Sequence, residues 1–270
     1  MRFTVFGSSG FIGSHVHEKL ASAGFECLTP LRNDSLIETE DLGHVIYCIG
    51  VTADFRERPF DTVRSHVCYL SNLLEKARFS TFTYLSSTRV YQGSNLTTEE
   101  SSIRSNPTKP NDLYNISKLL GESLCLASGR LGVRVVRLSN VYGKDFSSNN
   151  FLPSIIRDAC QANRITLQTA WSSTKDYISV SDVVNVLPLI SVSGKSTIYN
   201  VASGVNISNR ILINKLRKSC QCSVSVAKGA PEVKFPRVNI KRLKDEFDFT
   251  PRSVLADVGK LVSDFRKVVL

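Results

Sequence analysis

A tyrosine and a lysine four residues apart are the first pair in this chain that could do chemistry. Tyr114 and Lys118 stand in the stretch YNISK, and on a helix this spacing puts both side chains on one face. A lysine ammonium near a phenol favours the tyrosinate and lowers a pKa that starts near ~10. Such a tyrosine can exchange a proton with a carbonyl or hydroxyl oxygen. Ordinary packing on a helix surface is the alternative interpretation of the pair.

Three glycines near the start of the chain could hold the phosphates of a dinucleotide. Gly7, Gly10 and Gly13 lie between an apolar, strand-like run at residues 3–6 and a helical pattern that ends near Gly24. A strand that turns through glycines into a helix directs free backbone N–H groups at the turn and admits a pyrophosphate. Glycines that serve only a tight turn are the alternative.

Two polar stretches follow strand-like runs further along the chain. Ser86-Ser87-Thr88 ends the run TFTYLSS, and the stretch RLSNVYG (137–143) ends the next run. Because α/β proteins bind ligands at the carboxyl ends of parallel strands, we expect both stretches to lie beside the glycine turn.

The elements that must position these residues alternate along the chain. Strand-like runs occupy residues 3–6, 27–31, 44–50, 81–87 and 133–139, and helical patterns occupy 63–77 and 111–128, the latter marked by leucines at 119, 120, 124 and 126. The alternation predicts βαβ units and an α/β fold with a Rossmann-type, doubly wound parallel sheet. Pro30 predicts an early end or an edge position for the second strand.

Past Gly143 the chain becomes rich in loops, which indicates a smaller C-terminal substrate-binding lobe over the sheet. We predict a dinucleotide-binding domain at residues 1–145, to which 176–203 return, and a lobe formed by 146–175 and 204–270.

Composition restricts the class of protein. The chain has 270 residues, 42% of them hydrophobic, and a mean hydropathy of −0.05, as a soluble globular protein would. We expect no membrane span, because no apolar stretch is long enough, and no signal peptide, because residues 1–7 already form a strand and a turn. Seven cysteines, mostly single in apolar runs, favour a cytoplasmic location, and Cys220 and Cys222 lack a second pair or nearby histidines, so no metal site is expected. The net charge of +10 is scattered, so nucleic-acid binding is not expected. A non-catalytic NADP-binding regulator or an RNA-binding relative is the alternative function.

The chain resembles the extended short-chain dehydrogenases/reductases, and among them the nucleotide-sugar epimerase/dehydratase family. The matching stretches follow the family's order over nearly the whole chain: GSSGFIG (7–13), YLSSTRVYQG (84–93), YNISK (114–118), RLSNVYG (137–143), KDYISVSDVV (175–184), YNVASG (199–204) and DFTPR (248–252).

The resemblance implies an NAD(P)-dependent oxidoreductase that acts on a nucleotide-diphosphate sugar. Ser87 and Tyr114 would bind the reacting oxygen, and Lys118 would hold the nicotinamide ribose. Residues implied to bind the cofactor are Gly7, Gly10, Phe11, Ile12, Gly13 and Lys118; those implied to bind substrate are Ser87, Asn140 and Arg237. The family's habit implies a homodimer through the helices at 63–77 and 111–128.

Three departures from the family pattern refine the prediction. The family often places Asp after the second strand; this chain has Leu31-Arg32-Asn33, which favours the 2′-phosphate of NADP over NAD, although Arg32 as a solvated residue is the alternative. Thr88-Arg89 replaces the dehydratases' Asp-Glu pair, so we expect reduction of a keto-sugar, or epimerisation through a transient ketone, rather than dehydration. His66 replaces a family asparagine, either as a ligand contact or as a structural histidine.

Overall fold

The computed structural model of this chain describes residues 1–31 and 39–269, so the cofactor prediction placed on Arg32 lies outside the described residues. The strands are β1 (Arg2–Phe6), β2 (Glu26–Leu28), β3 (His44–Tyr47), β4 (Thr81–Ser87), β5 (Val133–Leu138), β6 (Asn140–Tyr142), β7 (Arg164–Leu167), β8 (Thr174–Ser179), β9 (Ile198–Val201), β10 (Asn206–Ser208) and β11 (Ser223–Val226). The helices are α1 (Phe11–Ser22), α2 (Pro59–Val63), α3 (Tyr69–Lys76), α4 (Leu113–Ala127), α5 (Phe151–Gln161), α6 (Val180–Ser193), α7 (Asn209–Arg217), α8 (Lys241–Phe247) and α9 (Val254–Val269).

A six-stranded sheet in the order β2-β1-β3-β4-β5-β9 forms the centre of the molecule, and all its pairings are parallel. From β1 the chain order runs outward in both directions, which places a switch point between β1 and β3 where α/β sheets bind ligands. The predicted Rossmann-type α/β fold is confirmed. As Pro30 indicated, β2 stops at Leu28 and lies at the end of the described sheet.

Both faces of this sheet are covered by helices. Val45 and Ile46 are neighbours in β3, and their side chains enter different apolar clusters because successive side chains of a strand alternate between faces. The cluster around Ile46 contains Leu20 of α1, and the cluster around Val45 contains Leu70 of α3. The sheet is therefore doubly wound.

The helix expected over residues 63–77 is not one uniform helix. It starts as α2, passes through a π-helical turn at Arg64–Cys68 and continues as α3. A π-helical turn is rare and occurs as a single turn inside a longer helix, and the sequence pattern did not predict it. This turn carries His66 toward the sheet.

Helix α4 forms where expected, but its leucines do not all face the core. Leu120 and Leu126 are 51% and 45% exposed, whereas Lys118 and Glu122 are buried. The leucines therefore identified the helix, and the buried face is formed by other residues.

A second core lies in the C-terminal half of the chain. It unites Ile156 of α5, Ile165 of β7, Leu212 of α7 and Phe265 of α9. Strand β8 pairs in parallel with β6 and antiparallel with β10, which joins this lobe to the end of β5. Residues 241–249, assigned to the lobe from the sequence, instead supply Leu243, Phe247 and Phe249 to the core beside α1 and α6.

Across the two described ranges, no helix has the length and apolar character needed to cross a membrane.

Candidate active site

A cavity of about 1090 Å³ opens at the carboxyl ends of β3, β4 and β5. The elements of the parallel sheet and its helices and loops contribute residues that include Phe11, Ile12, Gly50, Ser87, Tyr114 and Lys118. The lobe contributes Asn149–Pro153 at the start of α5 and Lys175–Tyr177 of β8. A ligand in this cavity therefore touches both the parallel sheet and the lobe.

The glycine turn between β1 and α1 has the geometry of a phosphate cradle. Gly7 has φ +80°, and it lies so close to Ile49 that a Cβ would be 3.0 Å from the Ile49 nitrogen. A Cβ on Gly13 would lie 2.2 Å from the Gly7 carbonyl oxygen, so this glycine lets α1 pack on the turn. A Cβ on Gly10 would meet only that oxygen, at 3.3 Å. The contact at Gly10 is tight but far less severe than that at Gly13, and the adjoining Phe11 and Ile12 line the cavity where a pyrophosphate could approach the turn.

Helix α1 begins with N–H groups that no helical carbonyl accepts. The first intrahelical bond runs from the Ser14 N–H to the Gly10 carbonyl oxygen, at 2.9 Å. The first turn carries no acidic side chain, so the positive end of the helix is not neutralised locally. These features are favourable for NAD(P) at residues 7–13.

Ser87 ends β4 and faces the cavity, because its neighbour Ser86 turns to the other side of the strand. The Ser86 hydroxyl donates a 2.5 Å hydrogen bond to the Glu122 carboxylate, which in turn pairs with the Arg137 guanidinium at 2.6 Å. The Ser87 hydroxyl accepts a hydrogen bond from the Arg89 N–H at 3.2 Å. The buried pair of Glu122 and Arg137 therefore fixes which of the two serines reaches a substrate.

Tyr114, in the first turn of α4, is 7% exposed and lines the cavity together with Ser87. Burial raises the pKa of this phenol, and the nearby Ser87 hydroxyl and the Arg89 charge lower it in part. The pKa stays above the ordinary value, so Tyr114 keeps its proton at neutral pH.

Lys118 is buried one turn further along the same face of α4. Its ammonium donates a 2.8 Å hydrogen bond to the Leu85 carbonyl and lies 5.0 Å from the centre of the Tyr84 ring. Burial lowers the pKa of Lys118 to about 7, against the opposing charge of Glu122. We expected Lys118 to favour the tyrosinate; the cation that lowers the pKa of Tyr114 in this structure is Arg89.

His66 takes the structural role. Its Nε2 accepts the Val51 N–H at 3.2 Å, and its Nδ1 lies 2.9 Å from the Ser117 hydroxyl oxygen. Burial and the nearby Lys118 charge lower the pKa of His66 to about 2, so the ring is neutral. The neutral imidazole ties the loop after β3 to α4 and uses both ring nitrogens to do so.

The two residues implied to contact substrate lie in different places. Asn140 lines the large cavity, and its side-chain amide donates to the Asp176 carbonyl at 2.8 Å. Arg237 lines a separate cavity of about 420 Å³ and donates to the Gly204 carbonyl at 2.6 Å. Ser87, Tyr114, Lys118 and Asn140 line one cavity, whereas Arg237 lines the other.

Two of the cations that line the cavity, neither assigned a role from the sequence, lie against aromatic rings. The Arg89 guanidinium lies 4.9 Å from the centre of the Phe55 ring and 5.3 Å from that of Tyr114. The Lys175 ammonium lies 4.7 Å from the Phe151 ring, and burial followed by the Arg89 charge lowers its pKa. Lys175 belongs to the stretch KDYISVSDVV, which matched the family pattern. Arg89 was considered only because it stands where the dehydratases have a carboxylate.

Comparisons with known proteins agree with this architecture. Residues 3–202 match the model of the NAD dependent epimerase/dehydratase family. The chain is 32% identical to a GDP-6-deoxy-D-mannose reductase from Pseudomonas aeruginosa, in a match that covers 83% of this chain and 82% of that protein. It is 28% identical over 159 residues to a dTDP-glucose 4,6-dehydratase from Streptomyces griseus, of whose length the match covers 48%. The solved structure of RMD from Pseudomonas aeruginosa complexed with NADPH superposes with a TM-score of 0.80 at 26% identity, and the match covers 99% of this chain and all of that one.

Proposed function

We propose, since the chain belongs to the NAD dependent epimerase/dehydratase family, that it reduces a ketone on the sugar of a nucleotide-diphosphate sugar, with NADPH as the reductant. The observation that carries the proposal is the buried side chain of Tyr114, which lines one cavity together with Ser87 and Lys118 at the carboxyl edge of the sheet. The similarity to a GDP-6-deoxy-D-mannose reductase and to a structure complexed with NADPH supports it.

The protein's own groups have distinct tasks in this reaction. The N–H groups at the start of α1 bind the pyrophosphate, and Lys118 donates to the nicotinamide ribose. The hydroxyls of Ser87 and Tyr114 donate to the ketone oxygen and polarise the carbonyl. NADPH supplies the hydride to the carbonyl carbon when it is bound. Tyr114 gives its proton to the oxygen, the product is the alcohol, and solvent returns a proton to the phenol.

Reduction is favoured over oxidation because the similarity at 32% identity is to a reductase and a matching solved structure is complexed with NADPH. Epimerisation is the second candidate, since the same three side chains could first oxidise an alcohol and then reduce the ketone from its other face. Dehydration needs carboxylates for the elimination, and the residues after Ser87 are Thr88 and Arg89.

The test is a reaction of the purified protein with NADPH and a panel of keto-sugars and hydroxy-sugars on UDP, dTDP and GDP. Loss of nicotinamide absorbance with a product that has gained two hydrogens supports reduction. A product of unchanged mass without net cofactor use would show epimerisation, and a product that has lost water would show dehydration. Absence of turnover and of binding for every nucleotide sugar contradicts the proposal.

Tyr114→Phe is the variant that tests the proton donor. We expect turnover to fall by roughly 10²–10⁴, because general acid catalysis is lost, while NADPH binds as before. Ser94→Ala, a hydroxyl loss outside the cavity lining, is the control. A near-normal rate for Tyr114→Phe would remove this tyrosine from the mechanism.

Arg32→Ala tests the cofactor choice. A guanidinium on the 2′-phosphate predicts that NADP binding weakens by roughly tenfold to a hundredfold, whereas NAD, which lacks the phosphate, is unaffected. Titration calorimetry of both cofactors with both proteins measures this. Equal affinities in the wild type, or a parallel loss for both cofactors, would contradict the preference for NADP.

A further inference from the structure

Arg89 is a cation held beside the reacting position. It lies two residues after Ser87, in the helical turn Thr88–Tyr91, and its guanidinium sits near the rings of Phe55 and Tyr114, at 4.9 and 5.3 Å. Contacts of this kind fix the plane of a guanidinium and leave its N–H groups free to bind in that plane. A group bound by Arg89 is therefore close to an oxygen bound by Tyr114.

The hydrogen-bonding capacity of Arg89 is largely unused by the protein. Its Nη2 reaches the Asn111 carbonyl only at 3.5 Å. Its Nε is buried and has no acceptor anywhere in residues 1–31 and 39–269. A guanidinium stays charged in proteins, and a buried N–H without an acceptor, as at the Arg89 Nε, is costly unless a ligand supplies one. A planar anion with two oxygens fits this fork of donors best.

The surroundings do not supply that anion. The other cations that line the cavity are Arg56, Arg104, Lys109, Lys118 and Lys175, and its acids are Asp112 and Asp176. Asp176 accepts N–H groups from Ser203 and Val205 at 2.9 and 3.0 Å, and Asp112 accepts the Asn106 N–H at 2.8 Å. Cations outnumber acids, and both acids are engaged by the backbone.

We propose that the sugar bound here carries a carboxylate, as a hexuronate does, and that Arg89 is the residue that selects it. This inference rests on the proposed function, because it places a sugar ring at Ser87 and Tyr114. The carboxylate accepts two N–H bonds from Arg89 while the neighbouring sugar oxygen meets the two hydroxyls. Arg89 thereby fixes which carbon of the ring faces the hydride.

The experiment compares sugars that differ only in this group. Titration calorimetry with NADP present first measures UDP, dTDP and GDP, and then the matching pair: UDP-glucuronate with UDP-glucose, dTDP-glucuronate with dTDP-glucose, or GDP-mannuronate with GDP-mannose. We expect the wild type to bind the uronate about tenfold to a hundredfold more tightly than the neutral sugar.

The variants assign that preference to one side chain. Arg89→Gln is expected to bring the ratio of the two affinities to about 1, and Arg89→Lys, which keeps the charge without the fork, to an intermediate value. Arg210→Gln is the matched control, because Arg210 also packs on an aromatic ring, Trp171, but lies outside the cavity lining. Unchanged NADP affinity shows that each variant is folded.

Three results would overturn the inference. Equal affinities of the wild type for uronate and neutral sugar leave the proposed function standing and remove the role of Arg89. An equal loss of bare nucleotide and of uronate in Arg89→Gln would place the diphosphate, not a carboxylate, on this side chain. If no nucleotide diphosphate binds, the proposed function fails and the inference fails with it.

Discussion

Burial moves the two ionisable groups of the YNISK stretch in opposite directions. It raises the pKa of Tyr114 and lowers the pKa of Lys118 to about 7, because in each case the charged form loses its hydration. The phenol therefore keeps its proton, and the ammonium loses part of its charge near neutral pH. A cofactor or substrate that brings negative charge to Lys118 would restore that charge.

The buried Lys118 makes the unfolding free energy of the protein depend on pH. Below pH 7 both the folded and the unfolded state hold the proton, so the penalty of burying the charge is full and constant. Between pH 7 and 10.5 the unfolded state keeps the proton while the folded state loses it, so the stability of the wild type rises with pH.

We expect the unfolding free energy of Lys118→Met, relative to that of the wild type, to fall by about 1.4 kcal/mol per pH unit between pH 7 and about pH 9. Urea unfolding at both pH values measures this difference. Lys19→Met, which removes an exposed ammonium from α1, is the control and should show a flat difference. A flat profile for Lys118→Met as well would mean that the buried lysine titrates normally.

The sequence predicted that Ser87, Tyr114 and Lys118 would lie together, as they do in one cavity, but it did not predict their surroundings. Ser87, Tyr114 and Lys118 stand in short stretches whose spacing survives folding, because a strand end and a helix turn are local structures. Arg89 and Lys175 line the same cavity because β8 pairs with β6, a contact between distant parts of the chain. Arg237 lines a separate cavity because of the path of its loop, which the spacing of residues does not determine.

The turn between β1 and α1 separates two roles of glycine. At Gly13 a Cβ would lie 2.2 Å from the Gly7 carbonyl oxygen, whereas at Gly10 it would lie 3.3 Å from that oxygen. The sequence motif treats the two positions alike, whereas the structure gives Gly13 a much closer backbone neighbour.

Gly10→Val is expected to lower NADP affinity by at least about tenfold and to leave the protein folded, because the added methyl groups occupy the pyrophosphate position. Gly13→Val is expected to lower the Tm strongly, because the clash is with backbone and cannot be relieved by a side-chain rotation. Thermal unfolding and titration calorimetry on both variants separate the effects. Unchanged NADP affinity in Gly10→Val would contradict the cradle.

Elements with a strong local pattern were predictable, and those defined by partners were not. Strands β1, β4 and β5 and helix α4 appear close to the expected ranges, since each has its own apolar run. The small sheet of β10, β8 and β6 has strands of three to six residues, which acquire their identity only from pairing. The π-helical turn before α3 was also not predicted from the sequence pattern.

At the scale of the molecule, α4 presents an apolar surface to solvent. Leu120 and Leu126 are half exposed on a helix whose opposite face is buried. We expect a second copy of this chain to cover them. Sedimentation should show a dimer for the wild type and a monomer for Leu120→Asp/Leu126→Asp.

Leu131→Asp is the matched control for the dimer prediction, because Leu131 is 91% exposed and lies beyond the end of α4. This variant should sediment as the wild type does. A monomeric wild type, or a dimer that survives the double substitution, would contradict a helix-mediated dimer.

The position of β9 at the edge of the sheet affects how this protein folds during synthesis. Residues 1–138 leave the ribosome with five strands and most of the catalytic groups, but β9 and the apolar side chains of α8 belong to the last third of the chain. Until residue 201 emerges, β5 exposes an unpaired edge, and until residue 249 emerges, one face of the sheet lacks Leu243, Phe247 and Phe249. The nascent sheet and its core thus stay incomplete until residues 198–249 have emerged, and a chain truncated before β9 would present an open parallel edge to other nascent chains.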